Sequence, residues 1–153
     1  MQRIRDISLA PQGEQKIEWV SRNMPILNGI RETFERDLPL QGLKIALSIH
    51  LEAKTAYLCR VLAAGGAEMF VTGSNPLSTQ DDVVAALADG GINVFALHGC
   101  NMQEYGECIS SVLMAEPDII IDDGGDLVHA IHTRYPHLIG KILGGCEETT
   151  TGI

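Results

Sequence analysis

The sequence is poor in cysteine, in aromatic residues and in long apolar runs. Its four cysteines, Cys59, Cys100, Cys108 and Cys146, form no closely spaced pair. That spacing excludes a zinc knuckle and a disulfide framework, and it favours the reducing cytoplasm. No stretch approaches the roughly 20 apolar residues that a membrane-spanning helix needs, and the first residues are not followed by the apolar core of a signal peptide. We therefore expect a cytoplasmic protein with no membrane partner.

Positive charge is also scarce, since 11 Lys and Arg residues stand against 20 Asp and Glu residues, a net charge of −9. The basic residues are scattered, which excludes nucleic acid as a partner because phosphates require a cationic surface. What the sequence does have is a hydrophobic fraction of 45% in 153 residues. That is enough apolar material for one globular domain with a buried core.

Short apolar runs alternate with segments of helical periodicity after residue 40. The runs are Lys44–Ile49, Ala67–Thr72, Asn93–Leu97, Asp118–Ile121 and Lys141–Gly145. They are apolar on both faces, which is typical of parallel strands covered by helices on each side. The pattern predicts an α/β fold: a doubly wound, mostly parallel five-stranded sheet with helices on both faces, similar to a Rossmann domain.

Several helix ends can be predicted from local signals. Asn101 and Glu104 have the spacing of a capping box ahead of an amphipathic stripe. Ser78 is the predicted N-cap of the preceding helix. The N-terminal helices are expected over about 12–37, with Pro25 either starting a new helix or kinking one.

Polar residues follow every predicted strand. They occupy His50–Lys54, Gly73–Asp81, His98–Asn101, Asp122–Asp126 and Cys146–Gly152. Ligands of open α/β sheets bind beyond the carboxyl ends of the strands, so these segments are expected to meet at one edge. Their hydroxyls, amides and carboxylates suit a polyhydroxylated small molecule such as a nucleoside.

Each of these segments also has a purely structural interpretation. Asp122–Gly125 could be a strand-ending turn followed by a helix cap. His50 could be a structural hydrogen-bond donor, and Ser78 could simply start a helix. Glu147–Thr151 could be a solvated tail. Taken one at a time, none of these segments decides between structure and function.

Two other kinds of site are disfavoured. His129 and His132 are three residues apart on a predicted helix, but no third ligand follows at a suitable spacing, so we predict a surface or interface role and no metal. A response-regulator receiver would explain Asp122-Asp123 as an acidic phosphoacceptor pocket. That class requires acidic residues after the first strand and an aspartate after the third, where this chain has His50 and His98.

Read in order, these pieces resemble the S-adenosylhomocysteine hydrolase family. The matching segments are Met24-Pro25, Ser48–His50, Gly73–Asp81, Ile121–Leu127 and Glu147–Gly152, in register over residues 5–153. The resemblance implies that residues 1–153 are a substrate-binding domain, with helices at about 12–37 and βα units at about 44–153. It also implies a homo-oligomer that takes a nucleoside thioether as substrate.

The chemistry implied by the resemblance begins with oxidation of the ribose 3′-hydroxyl by bound NAD⁺. The neighbouring 4′-hydrogen then becomes acidic and is removed by a base. Homocysteine leaves from the 5′-carbon, water adds to the enone, and the stored hydride is returned to give the free nucleoside. The protein supplies proton transfer and orientation.

The same resemblance assigns roles to residues of this chain. His50 and Asp123 would transfer protons near the 5′- and 4′-carbons, and Glu148 would hold the ribose hydroxyls. The residues that would contact NAD from the substrate side are Thr149, Thr150 and Thr151. The residues that would line the substrate pocket are Asn75, Ser78 and Gln80.

One departure from the family pattern concerns the base. Many relatives carry Thr and Glu where this chain has Glu52 and Lys54, and that glutamate lies near the exocyclic amine of adenine. Lysine is only a donor, so Lys54 suits the carbonyl oxygen of hypoxanthine better, unless Glu52 takes the accepting role. We therefore predict a subgroup able to use S-inosylhomocysteine.

A second departure is that the sequence stops at Ile153, whereas relatives continue into a Rossmann domain with a Gly-rich dinucleotide loop. No G-x-G-x-x-G motif lies between a strand and a helix here. We expect this chain alone to bind no NAD and to have no hydrolase activity. The alternatives left open are a stand-alone nucleoside-binding or assembly module, one half of a split enzyme, and a fragment cut at a domain boundary.

Overall fold

The computed structural model describes residues 2–153. In chain order its helices and strands are α1 Ala10–Ser21, α2 Pro25–Asp37, β1 Lys44–Ile49, α3 Ala53–Ala64, β2 Glu68–Gly73, α4 Asp81–Asp89, β3 Asn93–Val94, α5 Met102–Leu113, β4 Ile119–Asp122, α6 Asp126–Thr133 and β5 Gly144–Glu147. Short 3₁₀ turns lie at Ile7–Leu9, Pro136–Leu138 and Thr150–Gly152.

The strands form one parallel sheet in the order β3-β2-β1-β4-β5. This confirms the predicted fold class. The chain runs outward from β1 through β2 to β3 and then returns to the other side of β1 with β4. The switch point therefore lies between the carboxyl ends of β1 and β4, where Ser48 pairs with Asp122. Crevices at such switch points are the usual ligand sites of open sheets.

The sheet is covered on both faces. Ile45 and Leu47 of β1 pack with the helices α1 to α4 on one face. Ala46 of β1 and Ile120 of β4 pack with α5 and α6 on the other. Neighbouring strand residues thus face opposite cores, and burying each large apolar side chain stabilises the fold by about 1.5–3 kcal/mol.

The predicted helix ends are partly right. The capping box is confirmed, since Asn101 Oδ1 accepts from the Glu104 amide at 2.9 Å and Glu104 Oε2 accepts from the Asn101 amide at 3.0 Å. Pro25 starts a new helix, as one of the two alternatives held. The prediction for Ser78 is wrong, because Gln80 precedes α4 and gives it no side-chain cap. The Ser78 hydroxyl lies 2.5 Å from His50 Nδ1 instead.

The weakest strands differ from prediction in extent. β3 is limited to Asn93–Val94, and the following Phe95 forms an isolated bridge with Arg3. β5 begins three residues later than the predicted run, at Gly144, and is mostly exposed. Apolar periodicity locates buried strands well, but these two are edge strands whose limits are set by hydrogen-bonding partners.

Candidate functional site

A histidine and a carboxylate face each other at the switch point. His50 follows β1 and Asp123 follows β4, and His50 Nε2 lies 3.6 Å from Asp123 Oδ2. The other ring nitrogen, His50 Nδ1, is 2.5 Å from the Ser78 hydroxyl. The His50 side chain is 53% exposed and that of Asp123 11%. An imidazole held at one nitrogen, with a carboxylate near the other, is suited to proton transfer.

Asp123 is supported by residues that the sequence analysis did not single out. Ser74 Oγ donates to Asp123 Oδ2 at 2.8 Å. The Tyr105 hydroxyl lies 3.0 Å from the Ser74 carbonyl and 2.6 Å from Asp126 Oδ2. Burial, reinforced by the Asp126 carboxylate, raises the pKa of Tyr105, so its phenol stays a proton donor. No local motif marks Tyr105, whereas Ser74 lies in a polar segment after a strand that also matches the family pattern.

Asp122 has a structural role, unlike its neighbour Asp123. Its side chain is fully buried, and its two oxygens accept from the amides of Asp123 at 3.1 Å and Val128 at 3.0 Å. Burial raises the pKa of the Asp122 carboxyl, against the opposing effect of these amides. The turn-and-cap interpretation of this segment therefore holds for Asp122.

Glu147 joins two segments of the site. Its Oε1 accepts from the amide of Gly124 at 2.8 Å and from that of Thr149 at 3.1 Å. Gly152 packs so closely on this carboxylate that an added Cβ would lie 2.3 Å from Glu147 Cδ. The turn that carries Asp123 is thereby tied to the threonine segment. Of the two adjacent glutamates, only Glu148 was predicted as a site residue.

A cavity of about 420 Å³ opens beside this edge, between α2, α3 and the ends of β1, β4 and β5. Its volume is in the range of small-molecule sites. The lining residues are Met24, Leu27, Ile49, Glu52, Lys54, Thr55, Leu58, Ile121, Cys146, Glu147 and Glu148. The structure thus brings together the predicted Glu52, Lys54 and Glu148.

Within the cavity, Glu52 and Lys54 present different chemistry. Glu52 Oε1 accepts from the amides of Lys54 at 3.0 Å and Thr55 at 3.3 Å, so this carboxylate caps α3. The Lys54 side chain is exposed and lines the cavity. Its ammonium can donate to a ligand, whereas one Glu52 oxygen is already occupied.

The other predicted site residues lie outside the cavity lining, and His50 and Asp123 are among them. Asn75 Oδ1 accepts from the Leu77 amide at 2.8 Å, and Gln80 Oε1 accepts from Lys16 Nζ at 3.0 Å. Ser78 contacts His50 instead of the cavity. The three threonines form the final 3₁₀ turn with its cap, Thr149–Thr151, next to the Glu147 carboxylate. Their assigned roles stay predictions.

Two further expectations concern metal binding and membrane insertion. Among residues 2–153 no group of three or more His, Cys, Asp or Glu side chains could hold a metal ion, and His129 and His132 are exposed. Every helix in that same stretch is too short or too polar to cross a bilayer.

A doubly wound α/β domain with a histidine–carboxylate pair at its switch point, beside an open cavity, belongs to the class of small-molecule-binding domains found in enzymes. Comparison with known proteins narrows that class. The chain belongs to the S-adenosyl-L-homocysteine hydrolase family, whose model matches residues 1–136. The family assignment made from sequence segments is confirmed.

The matching relatives include proteins described as S-inosyl-L-homocysteine hydrolases and proteins described as adenosylhomocysteinases. It is 55% identical to an S-inosyl-L-homocysteine hydrolase of Methanococcus maripaludis over 153 residues, which is 100% of this chain and 37% of that protein. A protein of the same description from Methanocaldococcus jannaschii is 52% identical, again over 100% of this chain and 37% of its own length. An adenosylhomocysteinase of Pyrococcus abyssi is 53% identical over 98% of this chain and 36% of that protein. The chain therefore spans a little over a third of the length of these relatives.

Proposed function

We propose that the chain is the substrate-binding part of an NAD-dependent hydrolase that cleaves a nucleoside–homocysteine thioether into nucleoside and homocysteine. The observation that carries this proposal is the His50–Asp123 pair, 3.6 Å apart, at the edge beside a cavity of about 420 Å³. The descriptions of the relatives support the same reaction class.

In this proposal the nucleoside lies in the cavity with its ribose toward Glu148, whose exposed side chain offers two acceptor oxygens to ribose hydroxyls. His50 Nε2 and Asp123 Oδ2 then exchange protons at the 4′- and 5′-carbons. Ser78 holds the opposite ring nitrogen of His50, which fixes the plane of the imidazole. Proton transfer by positioned groups of this kind contributes roughly 10²–10⁴-fold to rates.

The fit of NAD to this chain is limited to one side. Thr150 and Thr151 are exposed and present hydroxyls next to the Asp123 turn, which suits contact with a polar cofactor. The threonine segment lacks a Gly-rich phosphate cradle, so the phosphates of NAD would be bound by other parts of the enzyme. When bound, NAD supplies a reversible hydride acceptor for the ribose 3′-carbon.

The finer part of the proposal is a preference for the inosyl thioether. Lys54 lines the cavity as a donor, and Glu52 already accepts from two α3 amides. A carbonyl oxygen on the base would satisfy Lys54, whereas an exocyclic amine would face another donor. Relatives described as S-inosyl-L-homocysteine hydrolases match over the full chain.

The test is the substrate preference of the complete enzyme, measured as kcat/KM for S-inosyl- and S-adenosylhomocysteine. We expect the inosyl substrate to be preferred and Lys54→Glu to shift the ratio toward the adenosyl substrate by about 10- to 100-fold, the worth of one hydrogen bond to a charged group. Lys141→Glu makes the same charge change on the surface, at a lysine that pairs with Glu116. It should leave the ratio unchanged. A wild-type preference for the adenosyl substrate would contradict the inosyl assignment. A wild-type enzyme that cleaves neither substrate would contradict the proposed reaction.

A further inference from the structure

The reactive oxygen of Asp123 has a hydrogen-bond donor of its own. Asp123 Oδ2 faces His50 Nε2 at 3.6 Å, and the same oxygen accepts from Ser74 Oγ at 2.8 Å. The Asp123 side chain is 11% exposed, so little water reaches it. A charged acceptor in such a place binds its donor strongly and loses rotational freedom. The Ser74 hydroxyl therefore limits the directions in which this carboxylate can point.

Ser74 is itself held by the neighbouring strand and by a helix. Its amide donates to the Ile49 carbonyl at 3.1 Å, which ties it to the end of β1 next to His50. Its carbonyl lies 3.0 Å from the hydroxyl of Tyr105 on α5. The single Tyr105 O–H is shared between this carbonyl and Asp126 Oδ2, which lies at 2.6 Å. The serine thus connects helix α5 to the pair at the switch point.

We propose that Ser74 is a positioning residue that orients the Asp123 carboxylate toward His50, and that Tyr105 keeps Ser74 in place. The inference rests on the proposed function, because it concerns the proton transfer of that reaction. Neither Ser74 nor Tyr105 lines the cavity of about 420 Å³. Their loss should therefore slow the chemical step without weakening substrate binding.

The test compares Ser74→Ala, Ser74→Thr and Tyr105→Phe in the complete enzyme, each assayed with both thioethers. Small misplacements of reacting groups cost up to about a hundredfold in rate, so Ser74→Ala should lower kcat by about 10- to 100-fold. KM should stay within about twofold, the behaviour of an interaction that acts on the chemical step. Ser74→Thr keeps a hydroxyl and should recover most of the rate, and Tyr105→Phe should lower kcat by a smaller factor.

The control is Ser110→Ala, which removes a hydroxyl that bonds the Gly106 carbonyl within α5. It should leave kcat unchanged. In the 153-residue chain, the ring nitrogen resonances of His50 should shift in Ser74→Ala and not in Ser110→Ala, at equal melting temperature.

Several outcomes would overturn the inference. An unchanged kcat in Ser74→Ala would do so, as would a KM that rises in proportion or a failure of Ser74→Thr to recover the rate. Those results leave the proposed function intact, since the wild-type enzyme still turns over. A wild-type enzyme that cleaves neither thioether overturns both.

Discussion

Asp122 and Asp123 are adjacent in sequence and have opposite roles. Asp122 points into the core beneath α6 and accepts hydrogen bonds from two backbone amides, while Asp123 faces His50. Consecutive residues at the end of a strand face opposite sides of the sheet, so the two aspartates could not both face His50. Which of the two would be buried follows from register, because Asp122 pairs with Ser48 and shares its buried face.

Cysteine reactivity offers a residue-scale test of the cavity. Cys146 is exposed and lines the cavity, whereas burial raises the pKa of Cys59 to about 12 and that of Cys108 to about 11. Since the thiolate is the reactive form, a disulfide reagent should modify Cys146 first in the native chain and Cys59 only after unfolding. Saturating inosine should slow the modification of Cys146.

The control for this experiment is Cys146→Ser, in which the fast phase of labelling should disappear. Labelling of Cys100, which lies outside the cavity, should be insensitive to inosine. If inosine leaves the rate at Cys146 unchanged while calorimetry shows that it binds, the nucleoside occupies a different part of the surface.

At the scale of elements, the packing of α1 on α4 depends on one glycine. Gly13 is buried in α1, and an added Cβ would lie 1.9 Å from the carbonyl oxygen of Asp82 at the start of α4. That neighbour is backbone and cannot move aside as a side chain would. The close approach of the two helices therefore requires a residue without a Cβ at position 13.

We expect Gly13→Ala to destabilise the fold by about 1–3 kcal/mol, the usual cost of overpacking. The matched control is Gly29→Ala in α2, where an added Cβ meets nothing within 4 Å. That change should stabilise the fold by about 0.5–1 kcal/mol, because alanine loses less backbone entropy in a helix. The measurement is the urea dependence of unfolding for both variants. Equal effects of the two substitutions would show that the α1–α4 contact is looser than described.

Elements with strong local signals were predictable, and those fixed by distant partners were not. The capping box at Asn101 is readable from four consecutive residues and proved right. Ser78 has the right residue type for an N-cap, but its hydroxyl is 2.5 Å from His50 Nδ1, a partner 28 positions away in sequence. The ladder between β2 and β3 ends at Val94, which the apolar run through Leu97 could not indicate.

At the scale of the whole molecule, the parallel sheet and the edge that carries the site could be predicted from the alternation of apolar runs and helices, whereas the strand order could not. His50 and Asp123 could be predicted as neighbours because each follows a parallel strand at the same edge. The contact between Ser74 and Tyr105 could not be predicted, because the two residues are 31 positions apart in sequence and Tyr105 lies on a helix. Glu147 was missed for a similar reason: its partner Gly124 is 23 positions away in sequence and meets it only in the folded chain.

Self-association is the remaining expectation at this scale. The N-terminal helices expose Trp19 (67%), Ile26 (79%) and Ile30 (38%). Apolar surface of this kind usually marks an interface. The net charge of −9 opposes association of identical chains, so screening by salt should favour it. We expect sedimentation velocity to show a dimer or larger assembly whose population rises with both concentration and salt.

Paired substitutions can test whether the exposed apolar residues of α1 and α2, and not those elsewhere, form the contact. Ile26→Glu should shift the chain to monomer, because it adds an unpaired charge to each side of a self-complementary contact. Met114→Glu makes a comparable change at a residue of 74% exposure just after α5, on the opposite face of the sheet, and should leave the assembly intact. Trp19, the single tryptophan, should show blue-shifted emission in the assembled state only. If both variants dissociate equally, the added negative charge as such accounts for the effect. A wild-type chain that stays monomeric in high salt would assign the exposed apolar residues to a different partner.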